Sequence, residues 1–467
     1  MKRLVLLVVG FSGFMTNCFA QRTKPEVFTL DAFIGQVRKY HPIAKQADLQ
    51  VDKAGAELIA ARGNFDPFLG FEASDKTFDG KNYYFYNNPE LTVPLPVGNL
   101  RAGFENNGGD FPSPETTKGK TSYLGIELPL AKGLLMDKRR AVLQQAKIYS
   151  KQSVQERLII LNNLLFEAYN AYWQWAASYR LYLLYSEFVA IAEKRLWLVR
   201  IAFKSGDRAI MDTTEAFVQF QNYQLSQSEA LLKWNNASLE LSNYLWKENE
   251  DSYLVSENQL PEYFPDVSDV QDKDAGELIR QSSLQNPTLK LYDYKLNSLE
   301  VERKLKIQNL LPYFSVKANL LNKDYNILKN VNPAFIQNNY KWGIEFKIPL
   351  FLREARGDYR KTKLKIKETN LELLYKRQET ENKIRGYLNK FNMLRQQITT
   401  SQSLYNNYKT LLSNEELKFA QGESSLFFVN GRENKLIELA QKQVELTLKY
   451  YKAKYAIEWA TGIIYLR

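Results

Sequence analysis

The sequence predicts a mostly α-helical chain with a membrane β-barrel, built from two copies of a helix–strand–strand–helix unit. Three observations predict this fold class. Landmark residues recur in the same order in both halves, short segments alternate apolar and polar residues, and two very long stretches carry a helical pattern with almost no glycine or proline.

Proline marks the start and the end of the first helical region in each half. His41–Pro42 opens a helical stretch that stops at Pro67, and Asn286–Pro287 opens one that stops at Pro312. The differences 287 − 42 and 312 − 67 both equal 245. Proline suits the first turn of a helix, because the N–H that it lacks would be unpaired there anyway. Each half therefore begins with the same helical unit.

The later landmarks keep the same order. A Gly-Ile-Glu segment precedes Pro129 in the first half and Pro349 in the second, and glycine interrupts the following helical regions at Gly206 and Gly422. We expect Pro129 and Pro349, like the two prolines that end the first helices, to mark helix–strand junctions. The two glycines are expected to be breaks at the tips of helical hairpins.

The domain boundaries follow from these landmarks. Residues 1–20 have the basic start, apolar core and small-residue end of a secretory signal. The first repeat is expected over 21–250, a linker over 251–272 and the second repeat over 273–467. Cys18, the only cysteine, is either removed with the signal or lipidated, and the sequence leaves both alternatives open.

Alternation with a period of two predicts strand pairs at about 67–130 and about 312–350. The apolar alternate positions are Leu69, Phe71, Ala73, Leu124, Ile126, Leu128, Phe314, Val316, Ala318, Leu320, Trp342, Ile344, Phe346 and Ile348. One face suits lipid and the other water, although strands on a soluble core alternate in the same way. The first segment is longer by 62 − 37 = 25 positions, which predicts an enlarged extracellular loop or an extra hairpin.

Heptad spacing predicts one very long coiled-coil helix in each repeat. The seam positions are Leu158, Leu161, Leu165, Ala168, Tyr172, Trp175 and Tyr179, and Ile384, Tyr387, Phe391, Leu394, Ile398, Ser401, Tyr405, Tyr408 and Leu412. Residues 139–203 contain neither glycine nor proline. At about 1.5 Å per residue such a helix is roughly 100 Å long, which exceeds the height of an ordinary globular domain.

Composition excludes several classes of function. Outside the predicted signal there is no cysteine and a single histidine, His41, so neither a Cys/His metal site nor a thiol nucleophile can be built, and we expect no His-dependent triad. No Gly-x-x-x-x-Gly-Lys pattern occurs, and the net charge of +11 is spread without a basic block. We therefore expect no catalytic residue, no cofactor, no metal and no nucleic-acid partner, and we expect His41 to be structural.

The number of predicted strands requires the chain to associate with further copies of itself. Four strands cannot close a membrane barrel, for which about eight are the practical minimum, and open strand edges are not tolerated in lipid. A homotrimer supplies 3 × 4 = 12 strands. The same symmetry gathers the long helices into a second barrel.

Several landmarks resemble the duplicated pattern of the TolC-like outer-membrane efflux proteins. They are His41–Pro42, Asn286–Pro287, Pro129–Leu130, Pro349–Leu350, Arg139–Arg140, Gly206 and Gly422. The resemblance spans essentially the whole mature chain. It implies a trimeric outer-membrane channel of a tripartite efflux or type I secretion system, with a helical tunnel in the periplasm. It also implies a periplasmic adaptor and an inner-membrane pump as partners, with small molecules or polypeptides as cargo.

The resemblance further implies a periplasmic gate at the tip. Asp212 matches a family position that holds the tip closed, and Glu215 follows one turn later. The matching positions of the second copy, where the family pattern is acidic, are Phe428 and Gly431. We expect a gate of Asp212, Glu215, Phe427 and Phe428, in which the phenylalanines close by dewetting. The alternative is that the two acidic residues only stabilise a helix N-terminus.

Two further points stay open in the sequence. The arginine that bridges the two hairpins in the family is matched by Ser424, while Arg208 occupies the equivalent place in the first copy. An exported coiled-coil scaffold or adhesin on the cell surface is the alternative function, and a hydrolase is disfavoured because no nucleophile and base lie at workable spacing.

Overall fold

The computed structural model describes residues 26–256, 258–264, 274–325 and 339–466, so the predicted signal and part of the predicted linker lie outside the described residues. The first half runs β1 (Glu26–Phe28), α1 (Leu30–Tyr40), α2 (Pro42–Arg62), β2 (Phe68–Phe78), β3 (Lys81–Pro94), β4 (Asn99–Gly108), β5 (Gly119–Pro129), α3 (Lys138–Lys204) and α4 (Ile210–Ser242). The second half runs β6 (Gln259–Pro261), α5 (Ala275–Gln285), α6 (Pro287–Gln308), β7 (Tyr313–Lys323), β8 (Tyr340–Lys347), α7 (Arg353–Ala420) and α8 (Leu426–Thr461).

The helix starts at the two repeated prolines are capped in the same way. The His41 Nδ1 atom accepts a hydrogen bond from the Ile43 N–H at 3.2 Å, and the Asn286 Oδ1 atom accepts one from the Thr288 N–H at 2.9 Å. Each cap satisfies a backbone donor that the helix itself leaves unpaired. His41 is buried, and this burial lowers the pKa of its imidazole despite a backbone hydrogen bond at Asn243. Its role at this helix start is structural.

The two long helices form where the heptad pattern predicts them. Helices α3 and α7 contain 67 and 68 residues, which corresponds to roughly 100 Å each. All of the predicted seam positions are buried or half-buried. Aromatic rings fill the core between the helices, with Trp173 stacked on Tyr451 at 4.1 Å and Phe391 on Tyr450 at 4.7 Å between centroids. Within the described residues, no helix combines the length and the apolar character that a membrane crossing needs.

A short parallel pair, β1 with β6, joins the start of the chain to the segment between the repeats. The buried Tyr172 hydroxyl ties this pair to the core, because it donates to the Phe28 carbonyl at 2.7 Å and accepts from the Glu262 N–H at 3.2 Å. The pair therefore packs at mid-height on helix α3.

In the part of the chain that the structure describes, the large sheet has six antiparallel strands in the order β2-β3-β4-β5-β7-β8. The prediction of two strand pairs, four strands per chain, is wrong in number. Of the two alternatives for the longer first segment, the extra hairpin is the one that forms, as β3 and β4. The count of 12 strands for a trimer assumed four strands per chain and does not follow from six.

The strand register places the predicted apolar positions on one face. Ala318 lies between Ile126 on β5 and Trp342 on β8, and the next alternate residue, Val316, lies between Leu128 and Ile344. The large apolar side chains of this face are exposed on the protomer, among them Leu69, Phe71, Leu91, Phe104, Leu124, Ile126, Trp342, Ile344 and Phe346. The sheet thus presents one continuous apolar face and one polar face.

Candidate functional site

The far end of the helices is formed by two matching turns. Gly206 between α3 and α4 and Gly422 between α7 and α8 both have φ of 82°. In each turn the glycine N–H bonds a carbonyl three residues back and the next N–H bonds one five residues back. This is the Schellman pattern of helix ends, which needs a left-handed residue that glycine adopts without strain. The predicted glycine breaks are therefore true hairpin tips.

The tip has a small apolar core shared by both hairpins. Leu196 and Val199 of α3 pack with Ala216 of α4 and with Leu426 of α8. Leu426 is fully buried. In the first turn of α8, Leu426 therefore points into the tip core, and the two residues that follow it point outward.

Arg208 joins the first hairpin to the second. Its Nη2 atom donates to the Phe419 carbonyl at 2.8 Å, and its guanidinium lies 4.1 Å from the centroid of the Phe419 ring. A cation over an aromatic face is attracted by the ring quadrupole. Ser424 instead donates to Glu415 of its own hairpin at 2.5 Å. This contact between the hairpins therefore comes from an arginine of the first copy, and its partner on the second hairpin is uncharged.

The predicted gate residues all lie within the first turns after the two tips. Glu215 accepts a hydrogen bond from the Asn430 amide on α8 at 3.1 Å, while Asp212 lies half-exposed in the first turn of α4. Phe427 and Phe428 are 69% and 57% exposed, with ring centroids 5.8 Å apart. Glu215 therefore does more than stabilise the N-terminus of α4, because it also contacts the second hairpin. The phenylalanines form an apolar pair on the protomer surface.

A buried polar network above the tip was not anticipated from the sequence. Glu433 of α8 is 1% exposed and accepts hydrogen bonds from Arg195 of α3 at 2.7 and 2.9 Å. The Tyr223 hydroxyl of α4 also bonds Glu433, at 3.0 Å, and Arg195 reaches Glu416 of α7 at 3.3 Å. The network therefore links all four long helices at one level.

The surroundings of Arg195 and Tyr223 shift the pKa values of both groups. Burial disfavours the Arg195 cation, but the hydrogen bonds and charge of Glu433 outweigh it, so the pKa of Arg195 is raised. Burial and the Glu433 charge together raise the pKa of the Tyr223 hydroxyl, which stays protonated. A signal existed in the sequence: Glu433 continues the α8 seam of Leu426, Val429 and Leu436, where an apolar residue belongs.

The junction between helices and sheet is held by the arginine pair before α3. Arg140 donates to Asp137 at 3.0 Å and to the Leu134 carbonyl at 2.9 Å, and Arg139 donates to Asn99 of β4 at 2.9 Å. Burial alone would raise the pKa of Asp137, but the Arg140 N–H and guanidinium lower it. The chain turns here from strand to helix.

The four predicted junction prolines lie where the structure changes from helix to strand or back. Pro67 precedes β2, Pro129 ends β5, Pro312 precedes β7, and Pro349 follows β8. Beside them, the Leu130 N–H bonds the Phe314 carbonyl at 2.7 Å. The two repeats are therefore tied together at this level. Within the described residues, no group of three or more His, Cys, Asp or Glu side chains is placed to hold a metal ion.

A similar fold is found in solved outer-membrane channels. The Campylobacter jejuni CmeC channel matches 92% of this chain and 85% of its own at a TM-score of 0.65 and 15% identity. The Vibrio cholerae VceC protein gives 0.62 at 12% identity, covering 92% of this chain and 95% of its own, and the open Neisseria gonorrhoeae MtrE channel gives 0.64 at 13%, covering 92% and 88%. No family model and no curated protein sequence matches the chain.

The chain has the TolC-like outer-membrane channel fold. The likeness covers 92% of the chain and therefore includes both repeats. The low identity shows the fold alone, so the roles of the tip residues rest on the contacts described above.

Proposed function

We propose that this chain is one protomer of a homotrimeric outer-membrane channel, a passive duct that carries solutes out of the cell through the periplasm and the outer membrane. One observation carries the proposal. A sheet with a continuous exposed apolar face and two open edges is joined to helices of roughly 100 Å. Lipid would cover the apolar face, and copies of the chain would cover the edges.

The exposure of the apolar face argues against a soluble core. Phe71 on the edge strand β2 and Trp342 on the opposite edge strand β8 are 69% and 64% exposed, and Ile126 on the inner strand β5 is also exposed. Large apolar patches of this kind mark membrane or protein contacts, because water contact with them is unfavourable. The opposite face carries the charged and amide side chains that an aqueous lumen would need.

The open edges of the sheet argue for self-association. Among the described residues, strands β2 and β8 each pair on one side only, and unpaired backbone groups are not tolerated in lipid. Strand β2 leaves the helical end and β8 returns to it, so β8 of one copy runs antiparallel to β2 of the next. A closed antiparallel barrel therefore needs no change of strand direction at the subunit boundary.

The helical layer carries a matching apolar stripe at its edge. Helix α4 packs on α3, α3 on α8 and α8 on α7, so α4 is an outer helix of the layer. Its exposed apolar residues recur every seven positions: Met211, Val218, Leu225, Leu232 and Leu239. A heptad stripe is the pattern by which one helix packs against another. We assign this stripe to the neighbouring copy in the trimer.

At the tip, we propose that Asp212, Glu215, Phe427 and Phe428 form the periplasmic gate. The bond from Asn430 to Glu215 and the bridge from Arg208 to Phe419 join the two hairpins of one protomer, so the hairpins of one protomer would move together. Three exposed Phe427–Phe428 pairs around the trimer axis would form an apolar constriction that excludes water when narrow.

The partners follow from the resemblance to TolC-like proteins. A periplasmic adaptor and an inner-membrane pump would dock at the helical end and supply the energy, in either tripartite efflux or type I secretion. The structural neighbours support an outer-membrane channel, since CmeC and MtrE are both outer-membrane channels.

Fractionation combined with channel recording tests the proposal. The full chain, expressed with its own signal, should appear in the outer membrane, require detergent for extraction and migrate as a trimer that heating dissociates. The purified trimer should conduct ions across a planar bilayer. Extraction of a water-soluble protein without detergent would instead support the scaffold or adhesin.

A further inference from the structure

We infer that the wall of this channel has 18 strands, because the additional hairpin β3–β4 is part of the barrel itself. The inference rests on the proposed trimeric channel and deepens it. Each protomer contributes six strands to one sheet, so three protomers contribute 3 × 6 = 18. The alternative is that the hairpin folds into the lumen or caps the pore, and that β2 pairs directly with β5.

Backbone pairing places the hairpin between β2 and β5. Strand β3 pairs with β2 along its length, from Phe68 opposite Thr92 to Phe78 opposite Lys81. Strand β4 pairs with β5 from Asn99 to Asn106. A hairpin that plugged the lumen would leave these ladders, and β2 and β5 would then need each other as partners. The hairpin therefore separates the two strands that a four-stranded protomer would join.

The side-chain alternation of the hairpin matches that of the flanking strands. Leu91 of β3 lies opposite Leu69 of β2 and Ala102 of β4, and Ala102 lies opposite Leu124 of β5. These residues continue the apolar face without a break. Phe104 of β4, on the same face, is 36% exposed. A strand that faced water on both sides would have no reason to keep this pattern.

The polar face of the hairpin is bound to β5 by a local network. Arg101 donates to both carboxylate oxygens of Glu90, at 2.8 and 2.5 Å, and the Tyr123 hydroxyl donates to the same carboxylate. The Tyr123 ring also covers Gly103, where an added Cβ would lie 2.6 Å from the ring. These contacts join β3, β4 and β5 on the lumen side, and they fix the hairpin in the wall.

The turn between β3 and β4 contacts the junction between the sheet and the helices. Gly98 has φ of 85°, and an added Cβ there would lie 2.1 Å from the Glu127 carbonyl oxygen. Arg139 at the start of α3 donates to Asn99, the residue after this glycine. The turn thus lies at the helical end of the sheet, where a short turn between barrel strands belongs.

Six strands also allow closure and set the pore size. Because six is even, all 18 strands can be antiparallel. Strands about 4.8 Å apart and tilted by about 40° give a backbone diameter of about 36 Å for 18 strands and about 24 Å for 12. The exit through the outer membrane would therefore be wide, which leaves the helical tip as the constriction.

Spin labels at single cysteines test this inference in trimers reconstituted into lipid vesicles. Leu91→Cys and Phe104→Cys report on the hairpin, with Ala102→Cys as a milder substitution should Phe104→Cys fail to form trimers. Ile344→Cys on β8 is the control for the lipid face, and Glu72→Cys on β2 is the control for the lumen. Collisions with oxygen measure contact with lipid, and collisions with a water-soluble nickel chelate measure contact with water.

In an 18-stranded wall, the labels on the hairpin match Ile344→Cys, with frequent oxygen and rare nickel collisions. If they match Glu72→Cys while Ile344→Cys remains in lipid, the hairpin lies in the lumen; the inference is then overturned and the proposed channel stands. If Ile344→Cys is itself exposed to water, the proposed function fails together with the inference.

Discussion

Removing the Glu433 carboxylate should loosen the tip, because it leaves the buried Arg195 without its main partner. In Glu433→Ala, Arg195 keeps only Glu416, whose side chain is 47% exposed, while Arg195 itself is 14% exposed. Breaking a buried ion pair costs about 3–5 kcal/mol, because a charge is left buried without its partner. Because Glu416 still partly compensates the charge of Arg195, we expect a cost at the lower end of this range, about 3 kcal/mol. This cost corresponds to a roughly hundredfold larger equilibrium constant for local opening of the tip.

Hydrogen exchange followed by mass spectrometry on the detergent-solubilised protein measures this opening. Peptides from 188–240 and 420–440 should exchange faster in Glu433→Ala, whereas peptides around Trp173 should be unchanged. The matched control is Arg195→Met with Glu433→Leu, which removes both charges and should restore most of the protection. A change in exchange of less than about threefold in Glu433→Ala, or a double variant that opens as readily as the single one, would show that this ion pair does not hold the tip together.

Three further predictions concern the helix start, the gate and the trimer. Burial lowers the pKa of His41, so the unfolded chain takes up a proton before the folded one, and the wild type should lose thermal stability as the pH falls below 6.5. His41→Asn, which places the residue type of Asn286 at this helix start, should abolish that loss, and equal pH profiles of melting temperature for the two proteins would contradict this. Asp212→Ala with Glu215→Ala should raise single-channel conductance in planar bilayers, and unchanged conductance would remove both residues from the gate. Leu225→Asp, on the α4 stripe, should convert detergent-solubilised trimers into monomers in mass photometry, and intact trimers would exclude the stripe from the interface.

The duplicated helical frame could be predicted from the sequence because its signals are local. Proline at a helix start, glycine at a tip and a heptad seam each act within a few residues, and the caps at His41 and Asn286 show the same chemistry twice. The four junction prolines flank strands for the same reason. The gate residues were placed by resemblance, and their roles stay predictions.

The sequence left the additional hairpin as one of two alternatives, because Asn88 and Pro89 interrupt the apolar alternation of its first strand. Strand β3 contains Asn88 and Pro89 in its middle, and proline lacks the N–H that a central strand normally donates. The ladder from β3 to β4 is interrupted at these two residues, while the ladder to β2 continues through them. Pairing with β2 on the other side holds β3 in place. This pairing is a tertiary contact, and the local sequence pattern of β3 does not predict it.

The buried network near the tip, by contrast, was missed. Arg195 and Glu433 are 238 positions apart, and each is an ordinary charged residue in a helix rich in charge. Only their places on the apolar seams of α3 and α8 set them apart. A charge at a seam position indicates burial, but its partner depends on how the two hairpins align.

A single-particle structure of the detergent-extracted protein would show directly whether the chain forms a closed trimeric channel. We expect three chains about one axis, their sheets joined from β8 of one copy to β2 of the next into a closed wall. A single chain with unpaired sheet edges, stable in water without detergent, would contradict it.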